Sequence, residues 1–216
     1  MRKREPNFAA QRQRMVRRQL RGRDITDQRV LEAMATVPRE EFIPSRRHHE
    51  AYGDFPVPIG HEQTISQPYV VALMVQELGV QPHHRVLDVG AGSGYQTAIL
   101  ASLAQHVFAV ERIVELTEGL AAALDRLGIA NVTATTADGT LGWAEHAPFD
   151  RIICGAAGPE VPAAWIDQLA DGGRIVMPVG DPHVQTLIAV DKCAGQAVRR
   201  DICPVRFVRL IGEQGW

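Results

Sequence analysis

Cysteine is scarce in this chain: Cys154, Cys193 and Cys203 are an odd number with no C-x-x-C spacing. That excludes a disulfide framework. With no paired histidines at ligand distance, no metal site is expected either, and the thiols are read as reduced. Long apolar runs are missing as well. No stretch approaches the about 18 residues needed to cross a bilayer, and the opening residues MRKREPNFAAQRQRMVRR lack the apolar core of a secretion signal. A cytoplasmic protein with no membrane partner is expected. A large charge of one sign is also absent: the net charge of −2 gives the whole molecule no pull toward polyanions. Internal repeats and low-complexity tracts are absent too. The composition, 45% hydrophobic and 22% charged over 216 residues, is that of a globular chain able to bury one substantial core, so residues 1–216 are read as one domain and a monomer.

The first fifty residues nevertheless hold an excess of Arg. Phe8, Met15, Val16 and Leu20 lie among these arginines as an apolar stripe, which favours a helix packed on the domain with a solvated outer face over a nucleic-acid surface. Amphipathic helices are expected at 8–20 and 26–36, the second opening at Thr26 or Asp27. Pro38, Pro44, Pro56 and Pro58 punctuate a long irregular segment whose Tyr52, Phe55 and Ile59 favour an ordered loop. Pro68 suits the first turn of a helix over about 68–78. From Arg85 short apolar strands alternate with helices: RVLDVG, helix 95–103, HVFAVE, helix 113–127, NVTATT, FDRIICGAA, helix 162–169, a turn at 171–173 and RIVMPVG. Alternation of this kind predicts an α/β fold, a doubly wound, mostly parallel sheet. The last apolar runs, VQTLIAV and CPVRFVRLI, are expected to form an antiparallel edge.

Strand VLDV runs into Gly90-Ala91-Gly92-Ser93-Gly94 and then a helix, so backbone can approach a ligand at the helix N-terminus. A dinucleotide fingerprint requires a third glycine where this chain has Tyr95, and the loop has no lysine of a P-loop. G-x-G-x-G preceded by Asp88 resembles instead the pattern of S-adenosylmethionine (SAM) methyltransferases of the Rossmann-like class I type. Glu111 ends the next strand, where a carboxylate can accept from both ribose hydroxyls, and Asp138-Gly139 follows the third, where Asp can receive an adenine amino group. SAM is the cofactor expected for Asp88, Gly90, Gly92, Gly94, Glu111, Asp138 and Gly139. Ser66 lies outside any G-x-S-x-G elbow, and His61 on the same loop is read as an exposed loop residue, so a hydrolase nucleophile is excluded.

The stretches AYGDFPVPIGHEQTISQPYVVALM, VLDVGAGSGYQTAILA, ADGTLGWAEHAPFDRIICGAAGPEVPAAWIDQLADGGRIVMPVG and PVRFVRL closely resemble protein-L-isoaspartate (D-aspartate) O-methyltransferases, in order, over about residues 12–211. VPREEFIP resembles that family's V-P-R-x-x-F-x-P. The resemblance implies that Ser66 lies beside the transferred methyl and contacts the substrate carboxylate without being attacked. It also implies that Thr64, Ile65 and Arg112 join the cofactor site, and that Ile59, Val205, Arg206, Phe207 and Val208 contact substrate. Isoaspartyl proteins and peptides would be the partners, and the ester product would collapse to a succinimide, allowing repair to Asp. Residues 1–66 would carry helices and the active-site loop, 67–180 the SAM-binding core and 181–216 the C-terminal strands.

Three positions depart from the family pattern. Glu62 replaces a glycine and is expected at the mouth of the site, where it would repel an anionic substrate; Ala137 replaces the first glycine of G-D-G; Arg209 stands where proline is frequent. Alternatives therefore remain: a relative methylating an Asp carboxylate of one dedicated peptide or protein, a non-catalytic SAM-binding module, or a nicotinamide dehydrogenase.

Overall fold

A computed structural model describes residues 7–216; the first six residues of the Arg-rich N-terminus lie outside it. Helix α1 (Phe8–Met15) continues through a wider turn at Val16–Leu20, and α2 (Gln28–Thr36) is capped by Asp27, whose side chain accepts from the Arg29 N–H. Met15, Val16 and Leu20 are buried while Arg14, Arg17 and Arg18 face solvent, so the apolar stripe packs inward as its spacing predicts.

The segment expected to be irregular contains a hairpin, β1 (Val57–Gly60) and β2 (Gln63–Ile65), which contains too few apolar residues to show a period. Helix α3 (Pro68–Leu78) follows with Pro68 in its first turn. Strand β3 (Arg85–Val89), helix α4 (Tyr95–Ala101), β4 (His106–Glu111), α5 (Val114–Arg126), β5 (Val132–Thr136), β6 (Phe149–Cys154), α6 (Ala163–Gln168), β7 (Leu169–Gly180), β8 (Gln185–Cys193) and β9 (Gln196–Val205) complete the chain. The large sheet has seven strands in the order β5-β4-β3-β6-β7-β8-β9. Its first five strands pair in parallel, and β8 and β9 add the antiparallel edge.

Alternate strand residues feed two cores. Val86, Val107, Ile153 and Val176 join the face covered by the N-terminal helices and α3 to α5, while Leu87, Phe108, Ile152 and Ile175 join the face where Trp165 of α6 is fully buried. The helices expected over 95–103 and 162–169 are shorter, Tyr95–Ala101 and Ala163–Gln168, and two strand starts differ more. The turn at 171–173 is absorbed into the start of β7, where the register against β6 shifts. The final strand starts at Gln196 and ends at Val205, seven residues ahead of the expected start at Cys203; beyond it the chain leaves the edge and lies beside Ala157, which donates to the Val208 carbonyl at 2.8 Å and accepts from Leu210 N–H at 2.7 Å.

Candidate active site

Strand order reverses between β3 and β6, and the crevice beyond their carboxyl ends is where a doubly wound sheet receives ligands. The glycine loop forms one wall. Gly90, Gly92 and Gly94 have φ of +67°, +57° and +89°, a left-handed run that residues with a Cβ enter only at a cost of about 1–2 kcal/mol each. Glu111, at the end of β4 and almost fully buried, clamps that loop: one carboxylate oxygen accepts from Gly92 N–H at 2.9 Å, the other from Ile113 N–H at 3.0 Å. Each oxygen keeps a second acceptor site for a ligand hydroxyl.

Three cavities meet here. A cleft runs past Gly90, Gly92, Glu111, Arg112 and Gly139 and is bordered by Leu210 and Ile211. A larger one, of about 610 Å³, is walled by Arg23, Ser66, Tyr69, Leu73 and residues 203–208. A narrow space bounded by Ile65, Ser66, Gly90, Gly92 and Gln96 connects them. Thr64 and Gly155 border all three, and Ser66 borders the large cleft and the connecting space.

Most of the residues singled out in the sequence therefore converge. Val205, Arg206, Phe207 and Val208 line the large cleft, with Phe207 N–H held by the Gln185 side chain at 2.7 Å. Four do not reach the cavities. Gly94 packs under α5, where an added Cβ would stand 2.8 Å from Leu120. Ile59 sits behind the glycine loop, its Cδ1 3.6 Å from where a Gly92 Cβ would be, and lines a separate hollow with Phe42 and Leu116. Asp138 is occupied by the C-terminal segment: it accepts from the N–H groups of Thr140 at 2.9 Å and Glu213 at 2.8 Å. Asp88 is fully buried, taking Gln96 Nε2 at 2.8 Å and Thr97 Oγ1 at 2.7 Å, and so ties α4 to β3 beneath the loop.

Burial pushes the Asp88 carboxyl up to about 6, against the donors Thr97 and Gln96, which favour its ionised form. The folded chain thus holds a proton there at pH values where the unfolded chain has lost it. The stability this contributes is complete below the ordinary value of 3.8 and disappears as pH rises through about 6. The stability of Asp88→Asn relative to the parent is accordingly expected to improve as pH rises from about 4 to about 6. Thermal unfolding across that window checks this, and a constant difference would contradict it.

Glu62 occupies a different place from the one expected. With His61 it forms the two-residue turn of the β1–β2 hairpin, at φ +59° and +51°, and its exposed side chain lines neither cleft. A turn with both central residues left-handed is the one that favours glycine. Glu62→Gly is expected to raise stability by about 1 kcal/mol, a rise in melting temperature of about 2–4 °C, with turnover unchanged. Ala137 lies exposed at the end of β5 with its N–H on the Glu111 carbonyl at 3.0 Å. Arg209 lines the smaller cleft, its guanidinium 6.0 Å from the Trp216 ring centroid.

Gly155, Gln185, Trp165 and the pair Leu210–Ile211 escaped sequence reasoning. Trp165 donates to the Gly139 carbonyl at 2.9 Å and so fixes the loop after β5. The one sequence signal among them is the glycine directly after β6, at the switch point.

A doubly wound sheet of this order, with a glycine loop clamped by the acidic end of the second parallel strand, defines a class I SAM-dependent methyltransferase. The family is narrower. A family model described as protein-L-isoaspartate(D-aspartate) O-methyltransferase matches residues 10–215, and the chain belongs to that family. A protein-L-isoaspartate O-methyltransferase of Koribacter versatilis is 50% identical over 209 residues, covering 97% of this chain and 94% of its own length. Protein-L-isoaspartate O-methyltransferase 2 of Marinobacter nauticus is 53% identical over 204 residues, covering 94% and 93%. Among solved structures, a protein-L-isoaspartate O-methyltransferase superposes with a TM-score of 0.84 at 28% identity, covering 94% of this chain and 67% of the other. A Plasmodium falciparum structure named as a protein-L-isoaspartate O-methyltransferase, in complex with S-adenosyl-L-homocysteine (SAH), gives 0.81 at 28% identity, covering 96% and 99%.

Proposed function

We propose that this enzyme methylates the free carboxylate of L-isoaspartyl, and D-aspartyl, residues in damaged proteins and peptides, with SAM as methyl donor. The junction of the two clefts at Ser66, Thr64 and Gly155 carries this reading. The smaller cleft fits the donor: the backbone of Gly90 and Gly92 lines it, and Glu111 has acceptor capacity left after binding the loop. Gly90, Gly92, Glu111, Arg112 and Gly139 would hold the nucleoside, and Thr64 and Ile65 the methionine end. When bound, SAM supplies an electrophilic methyl group.

The large cleft suits an ionised carboxylate. Among the described residues its charged lining is Arg23, paired with Asp54 at 2.5 Å, and Arg206, and no histidine, aspartate, glutamate or lysine lines it. Burial, then the hydrogen bond to Asp24, pushes the Tyr69 hydroxyl up to about 12, and burial, then Asp24 and Glu77, raises the Cys203 thiol, so neither acts as a base at neutral pH. None is needed, since a carboxyl of ordinary pKa about 3.9 is already ionised there. The Ser66 hydroxyl donates to one carboxylate oxygen and so aims the other, and residues 205–208 lie along the peptide. Holding reactants in line is worth several orders of magnitude in effective concentration. The ester product cyclises to a succinimide, whose hydrolysis returns part of the chain to normal Asp.

Each cleft takes walls from residues before 67, from 67–180 and from beyond 180, which supports one functional unit. Unpaired Cys154, Cys193 and Cys203 support a reducing, cytoplasmic setting, and among the described residues no helix is long and apolar enough to cross a membrane. The test is methyl transfer from labelled SAM to an isoaspartyl peptide beside its normal Asp twin, trapping base-labile ester. Label on the isoaspartyl peptide alone is expected; label on neither, with SAH still binding, would overturn the substrate assignment.

A further inference from the structure

Arg39 is a large cation with no exposed surface, at the start of a short 3-10 turn, Arg39–Phe42. Its Nε donates to the Ala51 carbonyl at 2.8 Å, its Nη2 donates to the Ser66 carbonyl at 2.8 Å, and its guanidinium lies 4.9 Å from the centroid of the Tyr95 ring, which borders the connecting space beside Ser66. Among the described residues no carboxylate lies within ion-pair distance of it. The neighbouring Glu40 is engaged by the Tyr52 hydroxyl and faces Arg12 at 3.7 Å. Burial lowers the Arg39 pKa to about 10, so it remains charged at neutral pH, and its Nη1 is buried without a partner.

Packing alone gives no reason for such a residue. A buried cation with no counter-ion is costly to desolvate, and two carbonyl hydrogen bonds and one ring contact offset that cost only in part. What the planar fork provides is geometry, since it spans two carbonyls from separate segments at once. Ser66 stands between the end of β2 at Ile65 and the start of α3 at Pro68, so its carbonyl belongs to neither ladder, and Arg39 is the donor that satisfies it.

We propose that Arg39 is a positioning residue for methyl transfer: from inside the core it fixes the Ser66 main chain, and with it the direction of the Ser66 hydroxyl, before substrate arrives. This rests on Ser66 orienting the substrate carboxylate.

The test is a double-mutant cycle on the full chain, reading kcat, SAH affinity and melting temperature. Arg39→Met is expected to lower kcat about 100-fold, as a displaced positioning group does, with SAH affinity within about threefold and the melting temperature lowered, because the Ala51 and Ser66 carbonyls lose their donor. Arg39→Lys, a point charge without the fork, should recover no more than about a tenth of wild-type kcat. Added to Ser66→Ala, either substitution should cost less than about threefold more, because both act through one hydroxyl. The same loss in both backgrounds, unchanged kcat in the single variant, or a fall in SAH affinity matching the fall in kcat would each overturn the proposal. If Arg39→Met does not fold, the cycle is read from Arg39→Lys. Full turnover in Ser66→Ala alone would overturn the reading of Ser66 itself, and that result is visible without touching Arg39.

Discussion

Replacing Gly155 by valine is expected to abolish methyl transfer and to weaken SAH binding by about 100-fold or more, which corresponds to about 3 kcal/mol. Gly155 follows β6 directly, its N–H donates to the Val89 carbonyl at 2.9 Å, and an added Cβ would stand 3.0 Å from the Gly90 carbonyl oxygen. That neighbour is backbone of the glycine loop, itself held through Gly92 by Glu111, so it cannot swing aside as a flexible side chain would. The branched carbons of valine would in addition project where the three cavities meet. Gly155→Ala, which adds the Cβ alone, should lose about tenfold, about 1.4 kcal/mol. Titration calorimetry with SAH, beside a thermal melt showing that the variant is folded, checks both. Parental affinity in folded Gly155→Val would show that the donor does not lie at this junction.

Ser66→Ala should separate binding from chemistry. Turnover is expected to fall by about 100-fold while SAH affinity stays within about twofold, because the hydroxyl orients the acceptor carboxylate and leaves the walls of the smaller cleft untouched. Glu111→Ala should show the opposite pattern. Its carboxylate satisfies the N–H groups of Gly92 and Ile113, so its loss loosens the loop and removes the acceptor for the sugar, weakening SAH by about 30-fold or more. Steady-state kinetics with an isoaspartyl peptide and SAH titration of each variant provide the check. An exchange of the two phenotypes would reverse the assignment of the clefts.

Local chemistry made the parallel core legible. Pro68 can open a helix but not continue one, glycines alone tolerate the alternating left-handed loop, and Glu111 announces itself as the acid ending an apolar strand. Strand β9 was misplaced because QAVRRDICPV is an exposed edge that needs no apolar face, while the apolar PVRFVRL turns away from the sheet after Val205. The hairpin at 57–65 carries its turn on His61-Glu62, without the glycine that would have announced it. Ile59 was assigned to substrate by resemblance, and the fold sets it behind the glycine loop.

Sequence by itself determined the fold class, the cofactor type and the family, because these are written in patterns that span a few consecutive residues: a strand running into a glycine loop, an acid at a strand end, T-I-S-Q-P ahead of a helix. Only the tertiary structure decided how those pieces share a site. It brought Gly155 against Gly90, seated the C-terminal segment on Asp138, turned Asp88 into the core and placed Arg39 behind Ser66. The contacts of Gly155, Asp138 and Arg39 each join residues far apart in the chain. Which residues meet is decided by how the sheet and helices pack, and no local preference for helix, strand or turn records it.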